Sequence, residues 1–191
     1  PINPYGETKL IGEWMMADAE KAWGLRWAGL RYFNVAGAGW DDLGDMATLN
    51  LIPMVMERLA KGEAPKIFGT DYPTPDGTCV RDYIHVRDLA TAHIAALDYL
   101  ASGRTMAEHV FNVGTGQGAS VREVVSKVIA ATGLDVAPEE LDRRAGDPPQ
   151  LIGDATRIGK VLGWRAEHDL DDIVTSSYTS WQADPARPHF V

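Results

Sequence analysis

Tyr5 and Lys9, in the run Tyr-Gly-Glu-Thr-Lys, lie four positions apart. On a helix that spacing puts both side chains on one face, about one turn from each other. A nearby ammonium ion favours the ionised form of a phenol, so a tyrosine placed this way is suited to take a proton from a hydroxyl near neutral pH. The same pair also fits an ordinary exposed i,i+4 contact, and its surroundings must decide. A second group with chemical potential is Arg81, Arg143 and Arg144, the last two just ahead of Gly146-Asp147-Pro148. The planar fork of arginine matches a diphosphate, whose charge needs partners in a pocket. Solvated surface arginine is the alternative for each taken alone.

Other candidates are weaker. Gly114-Thr-Gly-Gln-Gly118 follows a strand-like run and precedes a helix, the setting of a dinucleotide fingerprint. Its spacing does not fit, because Ala119 stands where the third glycine belongs, and a glycine turn into a capped helix is the better description. The five histidines show no metal-ligand spacing, so no metal site is expected, and His85 is read as a hydrogen-bonded structural residue. The single cysteine, Cys79, cannot form an internal disulfide and is read as a small, partly buried side chain.

The elements that must position these groups follow from punctuation and periodicity. Asn3-Pro4 starts a helix that runs to about Trp23 and ends at Gly24, with Tyr5 and Lys9 in its first two turns. Trp27 to Val35 reads as one buried strand, ending at Ala36-Gly37. A Gly/Asp-rich loop over residues 38–47 precedes a helix from Asn50 to Ala60, with Leu51, Ile52, Val55 and Leu59 on its apolar face. Lys66–Phe68 and Val80–Val86 read as strands, separated by a turn-rich loop. Asp88 is expected to cap a helix to Leu100 with Leu89, Ala92, Ala96 and Leu97 facing a core. His109–Val113 is a further strand, and Ser120 with Glu123 forms a capping box for a helix ending at Gly133. Asp154 is expected to cap a helix to Leu162, and a last helix spans about Leu170 to Trp181.

The 191 residues suit one ordinary domain or two small ones. A net charge of -9 argues against a nucleic-acid or acidic-membrane partner, while leaving room for a local basic pocket. With no long apolar run and no leader-like segment, a cytoplasmic, soluble protein is the expectation. The chain opens on a helix with no initiating Met and no strand before it, which suggests further structure on the N-terminal side.

Four segments taken in order are more specific than any one of them: Asn3-Pro-Tyr-Gly-Glu-Thr-Lys9, Leu30-Arg-Tyr-Phe-Asn-Val-Ala-Gly37, the run from Phe68 through Arg81-Asp-Tyr-Ile-His-Val86, and Arg143-Arg-Ala-Gly-Asp-Pro148. Together they resemble the UDP-hexose 4-epimerase branch of the extended short-chain dehydrogenase/reductase family, over essentially the whole chain. The resemblance implies an α/β fold: the C-terminal part of a Rossmann-type enzyme with a smaller α/β substrate-binding domain. Residues 1–37, with the strand near 109–114, would belong to the NAD-binding domain, and residues 38–191 mainly to the UDP-sugar domain. It implies interconversion of UDP-galactose and UDP-glucose through a transient 4-keto sugar, with NAD as cofactor. Tyr5 would be the acid-base and Lys9 its partner on the nicotinamide ribose, both touching the cofactor, with Phe33 beside the nicotinamide. Asn34, Asn50 and Leu51 would contact the UDP-sugar, Phe68 the uracil, and Arg81, Tyr83, Arg144 and Asp147 the diphosphate and ribose. Leu151 falls where side-chain size decides whether an N-acetyl group is admitted, and leucine leaves both kinds of sugar admissible. A homodimer is implied for the full-length form.

The family's Gly-x-x-Gly-x-x-Gly loop is not among these residues. The chain by itself is therefore expected to be inactive. Two other readings fit parts of the pattern: a nucleotide-sugar dehydratase or decarboxylase sharing Tyr5 and Lys9, and a non-catalytic truncated UDP-sugar-binding homologue.

Overall fold

The computed structural model describes residues 1, 3–45, 47–103 and 108–190. Its elements run α1 (Pro4–Trp23), β1 (Gly29–Tyr32), β2 (Asn34–Ala36), α2 (Leu51–Ala60), β3 (Lys66–Phe68), β4 (Val80–His85), α3 (Val86–Ala101), β5 (Val110–Val113), β6 (Gly118–Ser120), α4 (Val121–Thr132), β7 (Glu139–Leu141), β8 (Gln150–Leu151), α5 (Thr156–Leu162) and α6 (Leu170–Ala183). The mixed α/β class is that of the sequence reading.

β4 is the strand on which the other elements converge. It pairs in parallel with β2 and β8 and antiparallel with β6. Side chains alternate across a strand, so Tyr83 and Ile84 enter different cores. Tyr83 joins a cluster made by Ile52, Val55, Met56 and Leu59 of α2, Val124, Val125 and Val128 of α4, and Ile173 and Trp181 of α6. Ile84 joins Ala92 of α3, Phe111 and Val113 of β5, Ile158 of α5 and Trp164.

Four expectations need correction. The run expected as one strand is broken at Phe33. β1 pairs in parallel with β5, and after Phe33 the chain pairs through β2 with β4 instead. The Phe33 ring sits against two glycines: a Cβ on Gly153 would overlap it, and one on Gly114 would lie 3.1 Å from it. Asp88 does not cap α3. His85 does, its Nδ1 accepting the Arg87 N–H at 3.1 Å, while Asp88 turns inward to the amides of Glu167 and His168. Leu97, expected in a core, is exposed. Ala155, not Asp154, is the N-cap of α5, although the Asp154 carboxylate still takes the Thr156 N–H at 2.9 Å.

α1 is as the punctuation predicts: Asn3 Oδ1 accepts the Gly6 N–H, Pro4 occupies the first turn, and Gly24 closes the helix with φ 68°. Its one buried residue is Ala19, and Trp14, Met15 and Trp23 are exposed. Polar contacts hold it to the sheet. Arg31 of β1 donates two hydrogen bonds to Glu13, each 2.5 Å, and the Glu20 carboxylate accepts from Trp27 Nε1 at 3.2 Å. Among the described residues no helix is long and apolar enough to cross a membrane.

Candidate functional site

β4 presents Cys79 (just before the strand), Arg81 and Tyr83 on one side, the i, i+2 period of an extended chain. α2 presents Leu51, Met54, Val55 and Arg58 at helical spacing, and β3 presents Lys66 and Phe68. With Asn34 from β2, and Arg144 and Asp147 from the loop before β8, these side chains line one cavity of about 270 Å³. Asn34, Leu51, Phe68, Arg81, Tyr83, Arg144 and Asp147 thus meet in one place. Asn50 lines an adjoining cavity of about 220 Å³ that shares Asn34, Leu51 and Tyr83. Tyr5, Lys9 and Phe33 line neither.

The cavity has an apolar end and a charged rim. The Arg144 guanidinium lies over one face of the Phe68 ring, 3.8 Å from its centroid. Arg81 is anchored: its Nη1 donates to the carbonyls of Pro148 at 2.8 Å and Val80 at 3.0 Å, and its Nη2 stands 3.6 Å from the Asp147 carboxylate. Burial pushes the Tyr83 phenol up to about 12. Tyr83 therefore stays protonated at neutral pH. Asn50 sits at the N-cap of α2 without a capping bond, and its Nδ2 donates to Asp45 at 2.8 Å.

At the start of α1 the Lys9 ammonium lies 5.0 Å from the Tyr5 ring centroid, so the two side chains do share a face. Tyr5 is 72 % exposed. The glycine turn at 114–118 offers no anion cradle of its own, since the N–H groups of Thr115 and Gly116 already donate to the Asp82 carboxylate. Among the described residues no cluster of His, Cys, Asp or Glu could hold a metal ion.

Sequence reasoning missed Arg58, Lys66 and Cys79 as lining residues. The signal was present, because each lies on the same helical or strand face as a residue that was selected. Arg58 is tied at Nε to the Ala64 carbonyl and Lys66 stands 3.7 Å from Glu139, so both cations have protein partners.

His85, at the end of β4, couples this strand to α6. Because Nδ1 accepts the Arg87 N–H, the ring proton belongs on Nε2, which donates to Ser176 Oγ at 3.0 Å. The ring stacks on His168, centroids 4.4 Å apart, and His168 is held by Asp88 at 2.8 Å. Burial holds His85 below its ordinary value; His168 and Arg87 act in the same direction, and Asp88 and Asp172 oppose them. A histidine depressed on folding contributes stability that is intact above the unfolded value of about 6.5 and is lost as pH falls below it toward the folded value. The thermal midpoint should therefore decline as pH drops below about 6.5. That limb should be shallower in His85→Gln, and equal slopes in the two proteins would show that another group governs this range.

Comparison with known proteins identifies the frame. Residues 1–114 match the model of the NAD dependent epimerase/dehydratase family. The chain belongs to that family. It is 50% identical over 186 residues to UDP-glucose 4-epimerase of Azospirillum brasilense, a match covering 95% of this chain and 53% of that protein. The corresponding enzyme of Lactobacillus helveticus is 42% identical, covering 98% of this chain and 57% of the relative. The chain thus spans about half the length of the curated relatives it matches. Among solved structures, UDP-glucose 4-epimerase of Brucella ovis in complex with NAD superposes with a TM-score of 0.86 at 45% identity, over 93% of this chain and 56% of that one. The Bifidobacterium longum enzyme in complex with NAD+ and UDP gives a TM-score of 0.83 at 39% identity, over 96% and 56%.

Proposed function

We propose that this chain forms the UDP-sugar side of a UDP-glucose 4-epimerase and carries its proton-transfer pair. The observation that carries the reading is the convergence of residues from β2, α2, β3, β4 and the loop before β8 on one cavity with an aromatic end and three arginines, of which Arg58 is tied to the Ala64 carbonyl beyond its own helix end. A uridine diphosphate is the ligand class this suits: a planar base for Phe68, and a dianion for Arg81 and Arg144. Asn34 and Asn50, in the adjoining cavity, supply polar contacts for a sugar.

In this reading Tyr5 takes the proton from the sugar 4-hydroxyl and returns it after the keto sugar has turned. Lys9, on the same face one turn away, sets a positive charge beside the phenolate form of Tyr5, the form that accepts the proton. NAD, when bound, would supply the hydride acceptor and donor for sugar C4, and the chain's own residues hold the sugar and move the proton. The exposed Tyr5 and Lys9 fit the nicotinamide-ribose end of that cofactor. Phe33, packed on Gly114 and Gly153, marks the same end in our assignment. We assign residues 1–37, with β5 paired to β1, to the cofactor-binding layer and residues 38–191 mainly to the substrate domain. The glycine-rich loop for the rest of the cofactor is not among these 191 residues. A homodimer of the full-length form is part of the proposal.

Titration calorimetry tests it. The 191-residue protein should bind UDP at least about tenfold more tightly than uridine or ADP, a difference of about 1.4 kcal/mol or more. It should not turn over UDP-galactose even with NAD added. Equal affinity for UDP and ADP would sink the uridine assignment, and steady turnover would show that these residues complete a cofactor site.

A further inference from the structure

Between Arg81 and Tyr83, both in the cavity wall, β4 carries a carboxylate that touches no part of the cavity. Asp82 is fully buried. Its Oδ1 accepts the Thr115 N–H at 2.9 Å and the Thr115 hydroxyl at 2.8 Å, and its Oδ2 accepts the N–H groups of Gly116 at 3.1 Å and Gly153 at 3.2 Å. No cation pairs with it in these contacts. A group this costly to bury has to be met on all sides, and here four donors from two distant segments meet it.

The segments it joins matter to the site. Gly153 ends the stretch that begins at Asp147 and runs through β8. The other end of that stretch is held by β4 as well, through Val80 N–H to the Pro149 carbonyl at 2.8 Å and Arg81 to the Pro148 carbonyl. The stretch that presents Asp147 to the cavity is therefore fastened at both ends to one strand. The third connection is Phe33, whose ring lies over Gly153 and Gly114, while the next residue, Asn34, lines the cavity. A Cβ on Gly114 would meet the Asp82 carboxylate at 2.5 Å, so the turn can approach only as glycine.

We infer that Asp82 is the positioning residue of the diphosphate end of the site: a buried clamp that fixes the 147–153 stretch and the Phe33–Asn34 junction relative to Arg81. This rests on the uridine-diphosphate reading above. It acts through Arg81, Asn34 and Asp147 and touches no ligand itself.

Asp82→Asn keeps the shape but replaces one acceptor with a donor. If the amide oxygen keeps Thr115, the amide nitrogen faces the N–H groups of Gly116 and Gly153, and the Gly153 end of the stretch is released while β8 keeps its pairing to β4. Amide exchange in the ligand-free variant should be about tenfold faster over residues 147–153, and UDP affinity should fall by about tenfold. Thr115→Val is the control, since it removes a donor to Asp82 without freeing Gly153. It should lower the thermal midpoint yet leave UDP affinity within about twofold.

Unchanged exchange over 147–153 in Asp82→Asn would overturn the clamp. Faster exchange with unchanged UDP affinity would overturn its role in the site. Affinity falling in step with the thermal midpoint in both variants would reduce Asp82 to general stability. Should Asp82→Asn not fold, the wild-type protein carries the test: saturating UDP should slow exchange at Gly153 and Gly116 together, and no change there would overturn the proposal. Failure of the wild type to bind UDP would instead strike the site reading, while the ligand-free exchange pattern would still judge the clamp.

Discussion

Arg81→Ala should weaken UDP binding on the order of a hundredfold, about 2–3 kcal/mol, while leaving uridine affinity nearly unchanged. The size follows from three features of this arginine. Its side chain is only 14% exposed, so its charge acts through little water. Its Nη1 is fixed by the Pro148 and Val80 carbonyls, so little side-chain freedom is lost when a phosphate arrives. Its removal also leaves Asp147, now 3.6 Å from the guanidinium, facing the diphosphate without a balancing cation. Arg81→Lys should recover part of the loss, because it restores the charge but not the fork. Calorimetric titration of UDP and uridine into the three proteins measures this. Equal losses for UDP and uridine would place the diphosphate elsewhere.

Phe111→Ala should cost about 3–5 kcal/mol of folding stability. Phe111 is fully buried in β5, packed with Ile84, Val113, Ile158 and Trp164. It is the largest side chain joining the β1–β5 pair to the sheet built on β4, so its loss leaves a void between two sheets and a helix. Against a typical domain stability of about 5–15 kcal/mol, the thermal midpoint should drop markedly. Denaturant unfolding followed by circular dichroism gives the value, and a cost below about 1 kcal/mol would mean that the neighbours close the gap. The protein that remains folded should bind UDP as the wild type does, because the cavity lies against the other core.

Much of the fold is legible in local signals. Asn3-Pro4 and Gly24 bound α1, Ser120 and Gly133 bound α4, and the apolar periodicity of residues 50–60 marks α2, because caps and amphipathic faces are written in neighbouring residues. The three short strands β6, β7 and β8 were not readable. β7 is Glu139-Glu-Leu141, with nothing strand-like in its composition, and it exists because β3 lies beside it. The break at Phe33 was hidden for the same reason: a continuous apolar run does not say that its two halves pair with different partners. Asp88 failed as a cap because a carboxylate at a helix start has a competing use inside, here the amides of Glu167 and His168. Arg81 and Arg144 stood out by their own chemistry, and the other cavity residues were named from the resemblance. Asp82 stood in the same Arg81-Asp-Tyr-Ile-His run and went unselected, since its partners lie more than thirty positions away.

The attachment of α1 makes the placement of Tyr5 and Lys9 sensitive to dissolved electrolyte. With Ala19 its one buried residue, the helix meets the β1 side of the fold through Glu13 on Arg31 and Glu20 on Trp27 and His109. Arg31 is 53% exposed in its side chain and Glu13 16%, so ions reach that contact from the arginine side and weaken it in part as their concentration rises. Arg81 and Tyr83 stand on a strand bonded on both edges, where backbone pairing is indifferent to ions. Rising ionic strength should therefore loosen the helix that carries Tyr5 and Lys9 before it disturbs the pairing of β4.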